Sequence, residues 1–176
     1  VRHCVLWGDW GRPLEIGAET RTDSIYNVTF QDIEIIHFVQ RAMDVQNGDR
    51  ALVSKIRFEN INIEHALIEG YQRQDIPHPE PSHPDHPQKA GMLLELFSDP
   101  NPYSKDSQRG RITDVIYKSI NVIGDFRVHG RIAGLDEQHL VENVTIENLV
   151  VRGRHILRPE DANIEINPYC RNIVFK

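Results

Sequence analysis

One phrase of alternating apolar and polar residues returns along this chain at nearly constant intervals. That recurrence limits the possible folds more than any other feature. The phrase runs Ile25-Tyr26-Asn27-Val28-Thr29-Phe30-Gln31-Asp32-Ile33-Glu34-Ile35. Further copies run from Val53 to Ile63, from Ile112 to Val122 and from Val141 to Val151, and a truncated one from Cys170 to Phe175. With Asn27 as the anchor, the equivalent positions are Lys55, Asp114, Asn143 and Asn172, so the steps are 28, 59, 29 and 29 residues. Alternation of period two belongs to strands, not helices. The Asn, Asp and Ser residues inside the copies suit tight corners, because they tolerate left-handed backbone and bond their own main chain.

Repeats of this length containing several short strands predict a solenoid whose levels stack on one shared core. The L-x-x-L-x-L pattern of leucine-rich repeats is missing. The expected fold is therefore all-β: a right-handed parallel β-helix of about six coils of 28–29 residues, in one domain over 1–176. The 59-residue step is close to two periods, so it is expected to contain one degenerate copy, placed in the Pro/His-rich insertion over 71–90. A second strand precedes the phrase in each coil, at Pro13–Gly17, Ala42–Gln46 and Met92–Phe97. There Leu14/Ile16, Met43/Val45 and Leu94/Leu96 are expected to face inward, leaving Glu15, Asp44 and Glu95 as an outward column. Glu15 and Asp44 are 29 residues apart; the 51 residues from Asp44 to Glu95 again predict about two coils.

Composition narrows the function classes. The net charge is −6, with 39% hydrophobic and 26% charged residues, which argues against a nucleic-acid partner. No stretch approaches the roughly 18 apolar residues of a membrane-spanning helix, so no membrane partner is expected. Cys4 and Cys170 fall at opposite ends of the repeat array, too far apart for a bridge that needs Cα atoms within about 7 Å.

The carboxylate column is the sharpest chemical feature. Like charges on adjacent strands, about 5 Å apart, either raise one pKa or require a cation. Raised-pKa carboxylate pairs carry out glycoside hydrolysis. Arg12 and Arg41 each precede a carboxylate by three residues; simple Arg–carboxylate pairing on a solvated sheet face reads the same way. Trp7-Gly8-Asp9-Trp10-Gly11-Arg12 holds both tryptophans of the chain and suits a platform for sugar rings. Asp9, Glu15 and Asp44 are the expected catalytic residues. Trp7, Trp10, Arg12, Glu19, His37, Arg41 and Glu95 are expected to hold substrate. His78, His83 and His86 lie among the prolines of the insertion and read as a cleft-walling loop rather than a metal site. Arg131, Asp136 and His139 read as local contacts around a turn. Asn27-Val28-Thr29 and Asn143-Val144-Thr145 match a glycosylation pattern, but they occupy one repeat position, which explains them without a glycan.

The block Cys4–Gly17, followed by Ile25-Tyr26-Asn27-Val28-Thr29-Phe30, resembles bacterial pectin-lyase-like β-helix proteins. Within these it is most similar to the polygalacturonase-like proteins of glycoside hydrolase family 28. The resemblance implies a β-helix acting on polysaccharide, and it puts Asp9 at the family's paired catalytic aspartates. Several family features have no counterpart. Trp10 stands where the second aspartate belongs, and there is no Gly-His-Gly step, although His37 lies near that region. Arg109-Gly110-Arg111 is a poor match for the Arg-x-Lys step, and the Asn-x-Asp step would fall before Val1.

These readings lead to a glycoside hydrolase fragment that needs no cofactor. Its expected partners are a polysaccharide or oligosaccharide and an upstream part of the same polypeptide. Its expected location is extracellular or periplasmic. The rival readings are a non-catalytic carbohydrate-binding β-helix, a lyase or epimerase of the same fold, and a purely structural solenoid.

Overall fold

The computed structural model describes residues 1–8, 11–38, 40–64, 92–124 and 128–176. The Pro/His-rich insertion at 71–90, with Asp9 and Trp10, lies outside these residues. The described chain is mostly β-strand, with one 3-10 turn at Pro159–Ala162.

The chain shuttles between two sheets. The first contains β1 (Arg2–Trp7), β3 (Ser24–His37), β5 (Leu52–Ile63), β7 (Arg111–Val122) and β9 (Val141–Val151), all parallel and in that order. The second contains β2 (Leu14–Ile16), β4 (Arg41–Gln46), β6 (Met92–Phe97), β8 (His129–Ala133) and β11 (Ile164–Ile166), also parallel. At the last level the far edge of β9 is shared. The antiparallel strand β10 (Arg154–Ile156) covers its end, and the parallel strand β12 (Cys170–Phe175) covers its start.

The register follows the sequence copies. Ile25 pairs with Val53, Val53 with Ile112, Ile112 with Val141, and Val141 with Cys170. The anchor column Asn27, Lys55, Asp114, Asn143 and Asn172 is left-handed throughout, with φ between 54° and 61°. Five residues further on, a second left-handed column stands at Asp32, Asn60, Ser119 and Asn148, with His3 at its head. Each long strand is therefore bent twice, at the same positions on every level. Side-chain bonds run up these columns, among them Asn172 Nδ2 to Asn143 Oδ1 at 2.8 Å and Asn60 Nδ2 to Asp32 Oδ1 at 2.6 Å.

The corners force equivalent side chains to stack. Ile33, Ile61, Ile120 and Leu149 form one fully buried file; Ile56, Val115 and Val144 form another. Phe30, Phe58 and Tyr117 stack with ring centroids 5.1 and 4.9 Å apart. Leu14, Met43 and Leu94 meet these files from the second sheet in one continuous core.

Two expectations need correction. No degenerate copy separates the second and third phrases, because β5 pairs directly with β7. The 59-residue step is a single level of the first sheet. Likewise Asp44 pairs with Glu95 directly, not across an intervening coil. Six strand levels do exist in the first sheet, but the additional one is β1, whose residues carry no copy of the anchor. Both cysteines are free, on the outermost strands β1 and β12.

Lysine is an unfavourable occupant of a left-handed corner, costing about 1–2 kcal/mol where Asn is tolerated. Lys55→Asn should therefore raise stability by about 1 kcal/mol in urea denaturation. Phe58→Ala, which removes the middle ring of the buried stack, should lower it by about 3–5 kcal/mol.

Candidate functional site

The first-sheet strands β1, β3, β5 and β7 end, and the second-sheet strands β2, β4, β6 and β8 begin, on one side of the stack. This side carries Trp7, Arg12 and His37. Trp7 ends β1 with its ring half exposed. The ring lies against that of His37, with centroids 4.8 Å apart, and the Gly8 amide donates to the His37 carbonyl at 3.0 Å. His37 itself is buried.

The register places Glu15, Asp44, Glu95 and Arg131 in one column across four adjacent strands. Neighbouring strands lie about 4.8 Å apart, so three acidic side chains in a row repel one another. Arginines relieve the repulsion. Arg12 donates from Nη1 to Glu15 Oε1 at 2.5 Å, and its Nε stands 2.7 Å from Asp44 Oδ2. Gln46 Nε2 donates to the same Asp44 oxygen at 2.6 Å. Arg41 pairs with Glu95, and Arg131 approaches that carboxylate from the next strand at 3.6 Å. The Arg131 guanidinium also lies over the Phe97 ring.

The expected column exists, but it is not a solvated face. Asp44 is fully buried, and Glu95 and Arg41 nearly so; Glu15 alone of the three carboxylates keeps an accessible side chain, at 27%. The alternation of side chains reveals which face of a strand a residue takes, not what lies over that face. Burial has a chemical consequence. It pushes the Asp44 carboxyl up to about 7; Glu95 pushes the same way, while Arg41, Arg12 and the Gln46 bond pull it down. Asp44 Oδ1 is buried with no hydrogen-bond partner among the described residues, which further disfavours the ionised form.

Of the other expected site residues, Glu19 is exposed in the connection leaving β2, at the opposite end of that strand from Arg12. Asp9 and Trp10 lie outside the described residues. Arg131, read from the sequence only as part of a turn, instead sits on β8 and joins the charged column. The Asp136–His139 turn is local, as expected: Asp136 Oδ1 accepts from the backbone amides of Gln138 and His139 and meets His139 Nδ1 at 2.8 Å. Among the described residues no group of three or more His, Cys, Asp or Glu side chains is placed to hold a metal ion.

The raised Asp44 pKa makes stability depend on pH with a definite sign. In the unfolded chain Asp44 loses its proton near 3.8; in the folded protein it keeps it to about 7. Its contribution is therefore complete below about pH 4 and declines as pH rises to 7. Asp44→Asn should flatten the stability profile between pH 4 and 7, as read by urea denaturation at stepped pH. An unchanged slope would place the proton elsewhere.

Compared with known proteins, the chain matches no family model, no curated protein and no solved structure.

Proposed function

We propose that the two sheets are faces of a right-handed parallel β-helix belonging to a glycoside hydrolase that acts on a polysaccharide. The helical part of this reading is supported by the return of the chain to each sheet one level further on, parallel from β1 to β9 in the first sheet and from β2 to β11 in the second. Right-handed crossovers between parallel strands are the strong rule.

The hydrolytic part rests on one arrangement, the sharing of Arg12 by Glu15 and Asp44. Glycoside hydrolysis uses two carboxyl groups in different protonation states. Glu15 is the accessible carboxylate. Asp44, closed off from solvent, is a positioning residue: its protonation decides how strongly it competes with Glu15 for Arg12. Asp9, in the connection that carries Arg12, supplies the second reacting carboxyl. The half-exposed Trp7 ring offers an apolar face to a pyranose, braced from behind by His37. Arg41 and Glu95, buried together, hold the start of β4 against β6 and do not reach sugar. The chain's net negative charge is compatible with a saccharide partner and unsuited to nucleic acid.

The test is release of reducing ends from a panel of neutral and acidic oligosaccharides. Glu15→Gln and Asp9→Asn should each lower turnover by about 100-fold or more. Asp44→Asn should shift the pH profile of kcat while leaving substrate affinity nearly unchanged. Oligosaccharide binding without turnover would replace this reading with a carbohydrate-binding β-helix. Neither binding nor turnover on any member of the panel would remove the site.

A further inference from the structure

On the opposite side of the stack, the connections from the second sheet back to the first build a different surface. Asp23 stands just before β3, Arg50 before β5, Arg109 before β7 and His139 just before β9; Arg111 opens β7. Together with Gln138 these residues line an open groove of about 380 Å³. The groove crosses four strand levels, about 14 Å at the strand spacing. Three arginines and one aspartate line it in a chain of net charge −6, and Asp106 behind Arg50 offsets one of the three.

The cations are held in different ways. Arg109 is oriented by the backbone: its Nη1 donates to the carbonyls of Gly48, Asp106 and Gln108 at 3.1, 2.7 and 2.7 Å. Those carbonyls fix the guanidinium without neutralising it. Arg50 is paired with Asp106 at 2.5 Å and, more loosely, with Asp23 at 3.4 Å. Arg111 is exposed, and its side chain enters no ion pair or hydrogen bond among the described residues. The His139 ring is turned by its contact with Asp136. The groove floor is backbone: Gly110 passes so close to Ala51 that a Cβ there would lie 1.9 Å from the Ala51 carbonyl oxygen.

A fixed guanidinium, one unpaired among the described residues and a histidine lining one groove match the needs of a tetrahedral oxyanion. We propose that this groove binds a sulfate or phosphate group, free or carried as an ester on a saccharide. The loose Asp23–Arg50 pair guards its rim: Asp23, with a 96% exposed side chain, competes with the incoming anion for Arg50. This site lies away from Glu15 and Arg12 and does not depend on the hydrolase reading.

Calorimetric titration with sodium sulfate and with sodium phosphate at low ionic strength, paired with backbone amide spectra, tests it. Saturable binding should perturb the amides of Arg109, Gly110, Arg111 and His139 and weaken as sodium chloride is raised. Arg111→Gln should weaken the affinity by about fivefold or more, and Asp23→Asn should tighten it by about two- to fivefold. A sulfated disaccharide binding more tightly than inorganic sulfate would identify the saccharide ester as the ligand; equal affinity would identify the free anion. Should Arg111→Gln fail to fold by circular dichroism, Asp23→Asn decides alone, because that side chain is exposed and its ion pair among the described residues is the loose one with Arg50. Unchanged affinity in the folded variants, or perturbations confined to other surfaces, would overturn the proposal.

Discussion

The structure depends on two columns of left-handed corners. Each corner column stands at one position of the repeat, and the backbone turns there on every level. With both bends fixed, the residues between them cannot slip, since a one-residue shift would turn the buried file outward. The stacked isoleucines and the Phe30–Phe58–Tyr117 ring stack follow from that constraint. Lys55 shows how strong the constraint is. Its own preference opposes the corner, yet the registers of β3 and β7 on either side hold it there.

The same register creates an electrostatic problem in the second sheet. It lines up Glu15, Asp44 and Glu95, which no chain would choose on charge alone. Arginines from neighbouring levels relieve the repulsion, and burial pushes the Asp44 carboxyl toward its neutral form. Replacing one member of such a buried network leaves the others uncompensated. The charged column is thus a structural tie between levels as well as a candidate reactive surface, and of its three carboxylates only Glu15 reaches solvent.

Much of the fold was legible in the residues. The copies beginning at Ile25, Val53, Ile112, Val141 and Cys170 predicted the observed pairing partners, and the Asn/Asp positions predicted the corners. Two features were not legible. β1 lacks the anchor residue, and its kinship with the other levels appears only when Cys4 and Leu6 are seen against Ile33 and Ile35. The 59-residue step fits two periods as well as one period with long connections, because arithmetic on length does not distinguish a degraded strand from a loop. Within the candidate site, the spacing of Arg12, Glu15 and Asp44 pointed to their grouping. The burial of Asp44, Arg41 and Glu95 left no local signal. The groove did leave one: Arg50 and Arg109 are 59 residues apart, a repeat step, which aligns them ahead of β5 and β7.

The sequence by itself determined the β periodicity, the corner positions, the strand register and the identity of the charged column, because each depends on residue type at fixed spacing. Only the tertiary structure decided that β5 lies directly beside β7, that Asp44 and Glu95 are closed off from water, and that arginines from separate connections share one groove. Those outcomes depend on which surfaces cover one another, and side-chain alternation along a strand carries no information about its cover.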